Sequence, residues 1–377
     1  MPPARDLIFV SAGLELDGGG RALAGRLLAA GSAAFAAERG VGWSLLSLGG
    51  LDGFAGDSRA RGFGGQQGAL ALAAWRRQLA GGRVACVYDL LGPARVQAWL
   101  PPPVRAPYMV TLYGIEVWRR LSGVRRRALR RATVRLATSA YTLAEARQMN
   151  GDMGPVEVLP LCLEERPPAG EVDAALLERA GRDFLLIVGR MAATERYKGH
   201  DQLLAAMQRL QADGTVRLHL QADESLRPRL IIAGDGDDRP RLEALAAALG
   251  VSGSVTFTGF VSEATLAELY RRAAVFVMPS RGEGFGLVYL EAMRAGRPCV
   301  AARASAAAEL IEDDESGLLV DPLDPAALAA ALARLLASPE LADRMGQAGR
   351  RRFERLFTPE RFRARLWPFL ERLTSAS

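Results

Sequence analysis

Short runs rich in Leu, Ile and Val, such as LIFV, VACV, LLIV, LIIA and VFVM, recur along the chain, each followed by a longer stretch with apolar residues every three or four positions. That rhythm restricts the fold to α/β with parallel sheets, because parallel neighbours need a connection long enough to hold a helix. In the first half the spacing predicts strands in DLIFVSAGL, WSLLSLG, RVACVYDLL, YMVTLYG, VRLATSA and VEVLPL, with helices over 21–38, 66–80, 125–132 and 141–149. In the second half FLLIVGR, RLIIAGDG, SVTFTGF, AVFVMPS, RPCVAA and GLLVD alternate with helices near 200–211, 239–249, 263–273, 286–295, 305–311 and 325–337. Between the series lies ERPPAGEVD (165–173), whose prolines and glycine read as a linker. The expectation is two doubly wound, Rossmann-like domains facing each other across a cleft, over 1–166 and 167–355, with a helix over 356–377 packing back on the first. In such sheets ligands bind outside the carboxyl ends of the strands, so the loops there carry the chemistry.

Composition excludes several classes. No apolar stretch reaches the roughly 20 residues that span a bilayer, and Asp6 interrupts a secretory pattern, so a cytoplasmic protein, at most peripheral at the inner face of a membrane, is expected. Cys86, Cys162 and Cys299 lie far apart in apolar runs and read as buried thiols of a reducing compartment. His200 and His219 are the only histidines, and with no cysteine cluster beside them a zinc site is not expected. The net charge of +6 is unevenly placed: residues 1–166 hold 21 arginines against 13 acids, and residues 167–377 hold 27 basic against 29 acidic residues. Of the 48 Lys and Arg residues only one is Lys, at position 198, and the two cations are not interchangeable in shape or hydration.

Three loops concentrate the candidates. After FLLIVG come Arg190, the segment MAATERY, and Lys198 before a helix beginning near His200. A planar guanidinium, an ammonium and a helix N-terminus together suit a diphosphate, though each cation taken alone also fits a solvated loop. After AVFVMPS comes RGEGFGLVYLEAM, with Glu283, Gly284, Phe285 and Gly286 in a turn and Glu291 one turn inside the next helix. One carboxylate can then meet a ligand head group and the other a pair of vicinal hydroxyls, while the glycines let backbone N–H groups approach an anion. In DGDD, Asp237 or Asp238 reads as the cap of the helix starting near Pro240 rather than as a metal ligand, and Gly234 and Gly236 as possible lining of the cleft.

In order, GRMAATERYKGHDQLL, LIIAGDGDDRPRLE, VTFTGFVSEATLAELYRRA, VFVMPSRGEGFGLVYLEAMRAGRPCVA and GLLVDPLDPAALAAAL resemble the C-terminal, nucleotide-sugar-binding domain of the retaining glycosyltransferases of family 4, over about residues 184–350. The resemblance implies the GT-B architecture and transfer of a hexose from a nucleoside-diphosphate sugar with retention of configuration, without a metal or other cofactor. It implies that Arg190 and Lys198 hold the donor diphosphate and support its departure. Glu283, with Gly284, Phe285, Gly286 and Leu287, would bind the transferred sugar, Glu291 the ribose, and Val261 the base through its backbone. In ARASAAAEL, Ser305 and Ala306 stand where the family usually has a glycine pair before the acid matching Glu309.

The first half carries a glycine run, Gly18, Gly19, Gly20, at the end of its first strand. It is not the dinucleotide fingerprint; Gly19 and Gly20 look like the loop that in these enzymes abuts the diphosphate from the opposite domain. In TLYGIEVWRRL, Tyr113 stands where the family has a histidine that touches the donor sugar, and a Tyr cannot act as a base near neutrality. Glu116 is a candidate for an acceptor hydroxyl or a plain surface acid. Eight arginines fall between Arg119 and Arg135, and residues 117–144 hold no acid, which suits either an anionic membrane or lipid-diphosphate acceptor, or a solvated helix in an Arg-rich chain. A glycan or lipid-linked acceptor in cell-envelope or exopolysaccharide biosynthesis is the favoured reading. A soluble small-molecule acceptor, a sugar-nucleotide epimerase of the same fold and a catalytically silent relative are its rivals, and a nucleic-acid partner lacks any recognisable motif.

Overall fold

The computed structural model describes residues 4–15, 19–54, 56–80, 83–165, 168–212 and 228–376; Gly18, His219 and part of the 165–173 segment lie outside them. The chain divides into two compact units, one of residues 1–164 with 358–377 and one of residues 165–357.

The first unit contains β1 (Asp6–Ser11), α1 (Gly19–Arg39), β2 (Gly42–Ser47), β3 (Ala60–Gly62), α2 (Gln67–Leu79), β4 (Val84–Tyr88), α3 (Leu91–Ala94), β5 (Tyr108–Leu112), α4 (Gly123–Arg131), β6 (Val134–Ala137), α5 (Ala140–Asn150) and β7 (Glu157–Val158). Its strands are parallel in the order β3-β2-β1-β4-β5-β6-β7, with Ile8 opposite Ser44 on one side and Cys86 on the other. Central strands are covered on both faces, so β4 and β5 are buried along their whole length, which is why they read as unbroken apolar runs. β3, with the sequence ARG, is short, half-exposed and at the edge, and no apolar pattern announces it. Ser122 and Ser139 accept backbone N–H groups at the starts of α4 and α5.

The second unit contains α6 (Ala174–Ala180), β8 (Leu185–Val188), α7 (His200–Ala212), β9 (Leu230–Ala233), α8 (Arg239–Ala248), β10 (Val255–Gly259), α9 (Glu263–Arg272), β11 (Val275–Met278), α10 (Leu287–Arg294), β12 (Cys299–Ala302), α11 (Ala307–Leu310), β13 (Gly317–Val320), α12 (Pro325–Leu336) and α13 (Pro339–Leu356). Its parallel order is β10-β9-β8-β11-β12-β13. The last helix, α14 (Pro359–Ser375), belongs to the first unit. It lies against α1, where a side chain at Gly31 would come within 2.8 Å of Leu366, and Phe35 meets Trp367 edge-on at 6.0 Å.

Cys86, Cys162 and Cys299 are buried and unpaired, and burial pushes the Cys86 and Cys162 thiols up to about 12. Among the described residues no helix is long and apolar enough to cross a membrane.

The expected cap in DGDD is corrected. Asp238 sits at the N-cap position of α8 but its side chain makes no capping bond. It is drawn instead to two guanidinium groups, Arg196 at 2.8 Å and Arg241 at 2.6 Å, which hold its carboxyl down at about 2. Asp237 accepts the backbone N–H of Ala193 at 2.9 Å.

Candidate functional site

Strand order locates the site before any side chain does. In the second unit the chain steps from β8 outward to β9 and β10, then returns to place β11 on the other side of β8. At such a switch point the loops leaving the two central strands diverge and open a crevice at their carboxyl ends. The loop after β8 carries Arg190 and Lys198, and the loop after β11 carries Glu283, so the structure brings the three together.

Local geometry fixes each of them. Met191 N–H donates to Asp235 O and Asp238 N–H to Met191 O, which ties the loop after β8 to the loop after β9. Gly234 and Gly236 pack against the backbone of residues 189–192 and are partly exposed. A 3₁₀ stretch, Ala193–Lys198, follows with a non-helical kink at Glu195. Gly199 then takes φ +89°, and an added Cβ would lie 2.7 Å from Pro279, so the turn that delivers Lys198 needs glycine. Lys198 lies over Gly189, whose added Cβ would be 3.4 Å from its side chain. At the next helix start, His200 is buried and pushed down to about 4 by burial, with Lys198 adding to the effect.

Glu195 closes the cluster. Its carboxylate pairs with Lys198 Nζ at 2.7 Å and with the Arg190 guanidinium. Glu195 and Lys198 are largely shielded, at 12% and 15% side-chain exposure, whereas Arg190 is 67% exposed. Burial pushes the Glu283 carboxyl up to about 7; Lys198 opposes the shift and Glu195 adds to it. Tyr197 stands among them, its hydroxyl raised by burial and by the charges of Glu195 and Glu283. The Ala306 N–H donates to the Glu283 carbonyl at 3.3 Å, so the Ser305–Ala306 departure lies directly behind this acid.

Gly286 takes φ +94° ahead of α10, and Phe285 and Leu287 are buried beside it. Glu291, one turn into α10, accepts the Tyr270 hydroxyl at 2.8 Å, and burial raises its carboxyl. Val261 lines a groove of about 400 Å³ with Glu171, Asp173 and Arg179. None of Arg190, Lys198, Glu283 or Glu291 lines it.

The first unit has its own switch point, between β1 and β4. Asp89, at the end of β4, is buried and accepts Ser11 Oγ at 2.5 Å and the Ala12 N–H at 3.1 Å. Burial pushes its carboxyl up to about 7. Tyr113 and Glu116 follow β5; the Glu116 carboxylate accepts the Tyr113 N–H at 2.6 Å and so is spent partly on its own turn. The Tyr113 hydroxyl is shielded from water and has no hydrogen-bond partner among the described residues. Burial, then the charges of Asp89 and Glu116, push the pKa of this hydroxyl well above the ordinary tyrosine range. Gly19 and Gly20 are exposed and form the first residues of α1, with Gly19 at φ +68°.

Sequence reasoning missed Glu195 and Asp89. An acid three residues before the sole lysine was the signal for the first; for the second it was the polar residue ending an apolar strand.

Comparison with known proteins gives the family of the second unit's sequence and the fold. Residues 170–352 match the family Glycosyl transferases group 1. The chain is 36% identical over 177 residues to alpha-D-kanosaminyltransferase of Streptomyces kanamyceticus, covering 46% of this chain and 42% of that protein. It is 41% identical over 184 residues to D-inositol 3-phosphate glycosyltransferase of Geodermatophilus obscurus, covering 47% of this chain and 37% of that protein. The matches thus span less than half the length of these relatives. Among solved structures, sucrose-phosphate synthase from Thermosynechococcus elongatus superposes with a TM-score of 0.77 at 24% identity, over 99% of this chain and 100% of that one. HepE from Anabaena, in complex with UDP and glucose, superposes with a TM-score of 0.75 at 18% identity, over 97% and 99%. The fold is GT-B, and residues 170–352 are a domain of the glycosyl transferases group 1 family.

Proposed function

We propose that the protein is a retaining glycosyltransferase of family 4 that transfers a hexose from a nucleoside-diphosphate sugar to a hydroxyl of a glycan or lipid-linked acceptor. The observation that carries this reading is the meeting of Arg190, Lys198 and Glu283 at the switch point of the second sheet. When the bond between sugar and diphosphate breaks, negative charge grows on the departing phosphate. Fixed cations beside that position stabilise the transition state more than the ground state. Glu283, held near neutrality, can either donate or accept a hydrogen bond at a sugar hydroxyl around pH 7. Glu291 serves the ribose, Gly284 to Leu287 the sugar and diphosphate, Val261 the base, and Gly19 and Gly20 complete the donor contacts. Tyr113 and Glu116 serve the acceptor side. HepE was solved with UDP and with UDP-glucose, which supports a nucleotide-sugar donor here. In this reading no metal takes part and the protein acts in the cytoplasm, peripheral to the membrane through Arg119–Arg135, in cell-envelope or exopolysaccharide biosynthesis.

Thermal unfolding in the presence of chelator, against UDP, GDP, dTDP, CDP, ADP and NAD, tests the donor site. Ligand at about 100 times its Kd stabilises by roughly 2.7 kcal/mol. Stabilisation by one nucleoside diphosphate, without metal, is the expected outcome; no response to any of them counts against the reading.

A further inference from the structure

We propose that Glu195 is a resident counter-anion of the diphosphate site: its carboxylate engages Arg190 and Lys198 while no donor is bound, and the incoming diphosphate displaces it. The inference rests on the donor-site reading above and adds a positioning residue that controls how tightly the donor and the departing nucleoside diphosphate are held.

The geometry is specific. One carboxylate meets both cations, Lys198 at 2.7 Å through one oxygen and Arg190 through the other. It lies on the same short turn as Lys198, three residues earlier, at the one non-helical position of the 193–198 stretch. Both Glu195 and Lys198 are shielded, so their mutual attraction is screened less than that of a surface pair. Arg190 is mostly exposed, which leaves its guanidinium able to turn from the carboxylate to a phosphate. The stretch is anchored on both sides of Glu195: Asp237 holds Ala193, Arg196 pairs with Asp238, and the Arg281 N–H donates to Tyr197 O at 2.8 Å. The turn is therefore held by contacts that do not involve the Glu195 carboxylate.

Charge decides the direction of the effect. The two cations against one carboxylate leave a surplus of a single positive charge. A diphosphate brings more negative charge than a carboxylate and more acceptor oxygens, so it wins both cations, but it must first take them from Glu195. Binding free energy is reduced by that exchange, and the same carboxylate stands ready to recapture the cations as the product leaves. A purely structural role, in which Glu195 only holds Lys198 in place, predicts the opposite sign when the charge is removed.

The test uses the 377-residue chain and calorimetric titration with inorganic pyrophosphate, UDP and uridine, in the wild type, Glu195→Gln and Glu195→Asp. For Glu195→Gln, tightening of about tenfold for both diphosphates is expected, with uridine affinity unchanged because the nucleoside does not touch the cations. Glu195→Asp keeps the charge and is expected to stay close to the wild type, which separates loss of charge from loss of shape. Equal or weaker diphosphate binding by a folded Glu195→Gln protein, with the wild type binding normally, overturns the counter-anion role alone. A wild type that binds neither pyrophosphate nor any nucleoside diphosphate overturns the donor-site reading and this inference with it.

Discussion

At Glu283 burial outweighs the neighbouring ammonium, and the consequence is a pH dependence of stability with a definite sign. The folded carboxyl titrates near 7, above its ordinary value of 4.5, so the folded state binds more protons than the unfolded one between these values. Its contribution to stability is full below about 4.5 and is lost as pH rises toward 7. Glu283→Gln should therefore flatten the fall in Tm over that interval, as differential scanning calorimetry at stepped pH would show; an unchanged slope would place the carboxyl in a more solvated setting. Asp89, also held near 7, adds a slope of the same sign, which the Glu283 variant leaves in place. Lys198 could be singled out from the sequence because it is the sole lysine among 48 basic residues. Glu195 carried a weaker signal, its place three residues before that lysine, and its pairing with both cations depends on a 3₁₀ turn with an internal kink that no apolar period announces. The hydrogen bonds of Asp238 were hidden for a related reason: its partners, Arg196 and Arg241, lie on either side of it in sequence, and only the fold brings both within reach.

The element that matters most is the turn from β8 through residues 193–198 into α7. It is braced by backbone bonds to the loop after β9 and by the close approach of Gly199 to Pro279. Gly199→Ala places a Cβ against Pro279 at a positive φ, so a loss of roughly 1 to 2 kcal/mol from the conformation alone is expected, with more from the clash. Chemical denaturation would register that loss, and nucleoside diphosphate affinity should fall with it because Lys198 moves. A variant as stable as the wild type would show that the turn relaxes without glycine. At this scale most of the fold was legible. Strands such as LLIV, LIIA and VFVM are buried on both faces and leave a continuous apolar trace. Helix starts are marked by Pro325, Pro339 and Pro359, each at the first helical position. The edge strand Ala60–Gly62 has neither signal and was invisible.

Across the whole molecule the charge is unequal: the first half is basic and the second slightly acidic. Arg126, Arg127 and Arg130 of α4 are exposed, and Arg131 donates to the carbonyl of Ala98, next to Trp99, which is 66% exposed. A basic helix beside an exposed indole suits an anionic lipid surface, where each cation contributes about 1 kcal/mol. If α4 docks on such a surface as proposed, the protein co-sediments with vesicles containing anionic lipid, and Arg127→Glu combined with Arg130→Glu should weaken that binding and leave Tm nearly unchanged; sedimentation unaffected by the substitutions would make this a solvated face only. In the proposed reaction Arg190 and Lys198 drive departure of a nucleoside diphosphate from a sugar. Its most direct measurement is the rate at which nucleoside diphosphate is released from the nucleotide sugar whose base stabilises the protein, compared between the wild type and Lys198→Ala in chelator. A wild-type rate well above background that falls at least a thousandfold in the variant, on the order of 4 kcal/mol of transition-state stabilisation, is the result predicted; release at an undiminished rate from a folded Lys198→Ala protein would contradict it.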